Sequence, residues 1–194
     1  MSKSDPAASK RERNKTIGWI VTIFIVTIFI SGAISLLSDV IMENSSVFVA
    51  FLILLAIILI GIIFDIIGMA VASADEKPFH SMAARKVPGA QESIALLRNA
   101  ERVSSICNDV VGDICGVVSG SASATIAVQI ISNFDFSWPQ IVSLAMSALA
   151  AGLTVGGKAI GKSFAVNSST AIVHSVGKCI HWLHSLTKPK KKTK

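Results

Sequence analysis

Between Val47 and Ala72 the chain reads VFVAFLILLAIILIGIIFDIIGMAVA, an unbroken apolar run in which Asp65 is the single charge. A hydrocarbon core about 30 Å thick is crossed by roughly 20 apolar residues in helical form. Only a helix or a closed barrel satisfies its own backbone there. The run from about Ile17 to Leu37 is of the same kind, β-branched and leucine-rich. Two more segments, about Val103 to Ile131 and Ile141 to Ala165, are long and apolar but rich in Gly, Ala and Ser, and they contain charges. That composition suits helices in the interior of a bundle. With 52% hydrophobic and 15% charged residues, the chain lacks the polar surface of a water-soluble domain of this size. The expectation is an all-α integral membrane protein with four transmembrane helices.

The basic residues set the orientation. Lys3, Lys10, Arg11, Arg13 and Lys15 precede the first span, and Lys77, Arg85, Lys86, Arg98 and Arg102 lie between the second and third. Lys178, Lys188, Lys190, Lys191, Lys192 and Lys194 follow the fourth. The remaining connections, Asp39 to Ser46 and Ser132 to Gln140, hold Asp39, Glu43 and Asp135 and no base. The positive-inside rule therefore places both termini in the cytoplasm of a plasma-membrane protein. The expected divisions are a basic cytoplasmic arm (1–16), a transmembrane domain with surface helices (17–187) and a lysine-rich tail (188–194). The alternative for the first span is a cleaved signal peptide, with Ser31-Gly32-Ala33 offering small residues.

The connection after the second span is expected to form an inner helical hairpin. Pro78 suits a first helical turn, Val87-Pro88-Gly89 breaks the segment, and Ala90 to Ala100 holds good helix formers. After the fourth span, Val166, Ile172, Val173, Val176, Cys179, Ile180 and Leu183 form one stripe, opposite Asn167, His174, Lys178 and His181. That pattern predicts a carboxy-terminal amphipathic belt helix at the membrane surface. The lysine-rich tail would favour anionic lipid or serve solubility alone. His181 and His184, beside Trp182, read as interfacial residues.

Charges inside a span are costly and mark either function or a fixed network. Asp65 lies in the second span, Asp109 and Asp113 in the third, Lys158 and Lys162 in the fourth. All fall near one depth, and each intrahelical pair is spaced by four, so a two-rung ladder of Asp109 and Asp113 with Lys158 and Lys162 is expected. Ser105 and Asn108 add oxygen ligands suited to a hard cation. Gly112, Gly116 and Gly120 in the third helix, with Gly152 and Gly156 in the fourth, would let backbones approach within the bundle or in a homodimer.

Other chemistry finds little support. Gly156 to Ser163 satisfies the letters of a phosphate-binding loop, but no strand precedes it. Cys107, Cys115 and Cys179 form no metal or disulfide spacing, and the net charge of +6 lacks the aromatic-rich basic face of a nucleic-acid binder. No catalytic arrangement is readable, so no enzyme activity and no nucleic-acid partner are expected.

The stretch GKAIGKSFA (Gly157 to Ala165) resembles the GEILPKSIA-type motif of the CorC/CNNM family of magnesium transport proteins. PGAQESIALLRNAERV (Pro88 to Val103) and CNDVVGD (Cys107 to Asp113) resemble that family's surface helices and its GNTLVN-type segment. The similarity covers about Phe48 to Leu186. It implies three spans, a helical hairpin, a belt helix, and an inner-leaflet site for magnesium as the transported ion. On this resemblance Asn108 matches a ligand asparagine, Asp65 falls on a ligand serine, Gly161 on the motif proline, and Lys158 on the motif glutamate. The CBS domains that usually follow are not in the sequence, which leaves room for a separate cytoplasmic partner. The expected function is divalent-cation transport with Asp65, Asn108, Asp109 and Asp113 as metal ligands and Lys158 and Lys162 modulating the site. The alternative is a non-transporting structural or partner-binding subunit in which the same residues form a buried ion-pair network.

Overall fold

The structure is a computed structural model that describes residues 6–43, 45–133 and 138–187, with backbone alone for 6–16, 43 and 187. Eight α-helices follow one another among the described residues. They are α1 (Pro6–Glu43), α2 (Val47–Ser73), α3 (Lys77–Ala84), α4 (Ala90–Arg98), α5 (Ala100–Ser105), α6 (Asp113–Asn133), α7 (Pro139–Asn167) and α8 (Ser169–Thr187). A π-helical segment, Ile106–Gly112, joins α5 to α6. Four stretches are long and apolar enough to cross a membrane: Ile17–Met42, Val47–Ser73, Ala100–Asn133 and Pro139–Asn167.

The arm expected at 1–16 is helical from Pro6 and continues into α1 without a break. The lysine-rich tail and Asp135 lie outside the described residues. Gly156 to Ser163 is helical throughout, inside α7, so the loop that would cradle a phosphate is not formed there.

The hub is α2, which packs against α6, α7, the π segment and α8. Ala50, Leu54, Ile58, Gly61, Asp65 and Gly68 form its buried stripe at helical spacing. One cluster, Met42, Ala50, Leu54, Ile58, Ala122 and Ile126, closes the end near the α1–α2 connection. Another, Ala70, Val71, Phe79, Ala165 and Val173, closes the end carrying α3, α4 and α8. Apolar burial gives little net attraction between helices in lipid, so close contact at small residues matters more. A Cβ on Gly61 would sit 2.8 Å from Cys115 Cβ, and one on Gly161 would sit 2.8 Å from Ile66 Cγ1. Gly157 lies directly against Ile62.

The glycines expected to form these seams behave differently. Gly112 is tightly enclosed, but a Cβ at Gly116, Gly120, Gly152 or Gly156 meets nothing within 4 Å. Gly116 and Gly120 instead border a groove between α6 and α7. Within one chain the packing register on α7 is that of Gly157 and Gly161, one residue further on.

The outermost helix, α1, is mostly exposed. Its less exposed positions, Trp19, Ile23, Thr27, Ser31, Ser35, Ser38, Asp39 and Met42, recur about every four residues along one line. α1 lies chiefly against α6. Gln129 Nε2 donates to the Met42 carbonyl at 2.7 Å, satisfying an end carbonyl of α1. At the other end Arg102 sits 5.4 Å from the Trp19 ring centroid, a cation–π contact.

α4 and α8 meet along a close seam. Gly89 takes a φ of 85°, a left-handed turn that glycine adopts without strain. The Ser93 hydroxyl is 2.8 Å from the Gly89 carbonyl and 3.2 Å from the Val173 carbonyl of α8. Gly177 lies against Ser93 with no room for a side chain. The face of α8 expected to be polar is divided. His174 reaches the Pro88 carbonyl in the turn before α4 and His181 reaches Glu92 of α4, whereas Lys178 is exposed. Of the expected apolar stripe, Val173 is buried, Cys179 and Leu183 are exposed, and exposed Val166 belongs to α7.

Candidate functional site

Asp65 projects from the buried stripe of α2 and is 2% exposed. It fits because its neighbour across the seam is Gly112, whose missing side chain leaves room for the carboxylate. Lys158 of α7 completes the site. Its ammonium donates to the Gly112 carbonyl at 3.0 Å and lies 3.5 Å from Asp65 Oδ1 and 3.6 Å from Asp113 Oδ1. Three donors thus face three acceptors, from α2, the π segment and α6. Lys162, one turn along, lies 3.8 Å from Asp65 Oδ2. Two carboxylates and two ammonium groups make the network neutral, the condition under which buried charges are tolerated at all.

Exposure is uneven within it. The Lys158 side chain is 17% exposed and that of Asp113 71%. Asp113 and Lys158 stand at the edge of the α6–α7 groove, a cavity of about 530 Å³ bordered also by Val117, Ser123, Ala150 and Thr154. Three hydroxyls along it donate to their own helices: Ser119 to Gly116, Ser123 to Gly120 and Thr154 to Ala150.

The expected two-rung ladder forms differently. Lys158 and Lys162 do stack and both reach Asp65, but Asp109 is not the second rung. Asp109 lies inside the π segment, which ends just before Asp113, and the segment's wider turn changes the angle between residues four apart. Asp109 accepts from the Ser105 hydroxyl at 2.8 Å. Both border a separate recess with Ala72, Ala100, Glu101 and Ser104. Asn108 donates to the Ser104 hydroxyl at 3.2 Å, while its Oδ1 lies over Gly68, buried and without a hydrogen-bond partner.

Of the residues expected to hold a metal, Asp65 and Asp113 therefore converge, and they converge on a lysine. Asn108 and Asp109 point elsewhere. Among the described residues no group of three or more His, Cys, Asp or Glu side chains is arranged to hold a metal ion.

Sequence reasoning missed Gly61 and Gly68, which flank Asp65 at minus four and plus three and form the same stripe. That helical spacing was a usable signal. It also missed Glu92 opposite His181, a pairing of residues far apart in the chain that no local pattern announces. Comparison with protein-family models, with curated proteins and with solved structures gave no match.

Proposed function

We propose that this chain is a structural or partner-binding membrane subunit whose three central spans are held together by the Asp65–Lys158–Asp113 network. The observation that carries the reading is the Lys158 ammonium lying between the two carboxylates and bonded to the Gly112 carbonyl. A divalent cation about 4 Å from that ammonium would be repelled by about 8 kcal/mol at an effective dielectric near 20. The lysine and a magnesium-like ion therefore compete for one place.

A second reading, divalent-cation transport of the CorC/CNNM kind, is favoured by Asp113 being open to the groove and by the unpartnered Asn108 Oδ1. In it Lys158 leaves the carboxylates when an ion arrives, and Asp65, Asn108, Asp109 and Asp113 supply oxygen ligands. The deciding experiment is magnesium flux into proteoliposomes carrying wild type, Lys158→Glu or Asp65→Asn. The subunit reading expects no flux above empty vesicles for any of them. Flux in wild type that Asp65→Asn abolishes would replace it with the transport reading.

Both readings share one placement in the membrane. The end carrying α3, α4 and α8 faces the cytoplasm of a plasma-membrane protein, as the positive-inside rule requires. There α3 and α4 form the inner hairpin and α8 the belt. Cys179, Trp182, Leu183 and Leu186 of α8 are exposed and suited to the headgroup boundary. The open faces at Gly116, Gly120, Gly152 and Gly156 suit a homodimer or a different membrane partner.

A further inference from the structure

All four histidines of the chain, His80, His174, His181 and His184, lie in α3 and α8, outside the four candidate spans. Two of them meet glutamates. His80 Nε2 is 3.1 Å from Glu76 Oε1, and His181 Nδ1 is 2.8 Å from Glu92 Oε1. The two pairs differ in one respect. The same Glu76 oxygen also takes Arg98 Nε at 3.3 Å, a cation at every accessible pH. Glu92 faces His181, with His184 adding a weaker field from the next turn of α8. The positive charge opposite Glu92 therefore comes from histidine, the side chain whose charge depends on pH near neutrality.

We propose that the α4–α8 seam is a pH-responsive clasp, in which protonation of His181 tightens α8 onto α4 through Glu92. The other charged or titratable groups of the seam are His174, whose Nε2 lies 3.3 Å from the Pro88 carbonyl, with Lys178 and His184 on α8, and Arg98 on α4, which is turned to Glu76. His181 is the one that meets the Glu92 carboxylate. The contact of α8 with α2 and α7 is made by Val173 on Ala70, Val71 and Ala165, which are apolar. Close packing of Gly177 on Ser93 and Gly89 holds the helices in register, so the charge acts on a seam already aligned.

The sign follows from both partners. His181 holds the Glu92 carboxyl below its usual range, chiefly by hydrogen bonding. That contribution is present above the ordinary carboxylate pKa and is lost as pH falls through the lowered value. The histidine contribution needs the charged imidazole, the form that falling pH favours. The full ion pair exists where Glu92 is ionised and His181 charged, and with a neutral ring only a hydrogen bond from its N–H to the carboxylate remains.

Hydrogen exchange of the full chain in lipid nanodiscs tests this, at pH 6 and pH 8 with labelling times scaled for intrinsic exchange. The wild-type α8 amides are expected to be about two- to five-fold more protected at pH 6. Glu92→Gln and His181→Gln each remove that difference, whereas His80→Gln keeps it. A wild type with equal protection at both pH values, or a difference that survives in Glu92→Gln, overturns the proposal. Should Glu92→Gln lose helix content, His181→Gln decides alone.

Discussion

At the residue scale, Lys158 and Gly112 are the positions on which most depends. Replacing Lys158 by Met leaves Asp65 buried with only the more distant Lys162, and breaking a buried pair costs about 3 kcal/mol or more. Thermal unfolding in detergent should show a clear fall in Tm, partly restored when Asp65→Leu is added. Gly112→Ala drives a methyl group into the Asp65 carboxylate and should cost about 1–3 kcal/mol. Gly116→Ala has open space and should be neutral or slightly stabilising by the same assay. The charged residues were legible because an aspartate or lysine inside an apolar run stands out. Which aspartate pairs with which lysine was not legible, since that depends on the π segment that holds Asp109 and ends at Gly112, just before Asp113.

At the element scale, the four spans could be read almost to their ends, because long apolar runs leave few alternatives. The packing faces could not. On α7 Gly156 and Gly157 are adjacent, the first ending the four-spaced series Ala148, Gly152, Gly156 and the second beginning Gly157, Gly161, Ala165. Only the position of α2 decides that Gly157 and Gly161 meet Ile62 and Ile66. The Ser and Thr line on α1 illustrates the same limit. Ser31 suggested a cleavage site when read locally, yet it lies on the less exposed line of α1. At the α4–α8 seam, Gly177→Val has no room against Ser93 and Gly89. It should detach α8, seen as faster hydrogen exchange across 169–187, while α2 and α6 stay protected.

At the scale of the whole molecule, the proposed orientation puts both ends on one side of the bilayer. Single cysteines at Ala84 and Ser185, in a background lacking the native three, should react with an impermeant thiol reagent only from the cytoplasmic side. A cysteine at Ser45 should react only from the opposite side. Labelling of Ala84 and Ser45 from the same face would remove the proposed orientation. The seat of α1 also constrains how the molecule is assembled. Its partners are chiefly in α6, with Gln129 of α6 holding one end and Arg102 of α5 the other, while it barely touches α2, the span made next. A helix translated before its partner cannot take its seat until that partner is made, so α1 must stay undocked until α6 has been synthesised, and a chain truncated before α6 would lack the surface on which α1 lies.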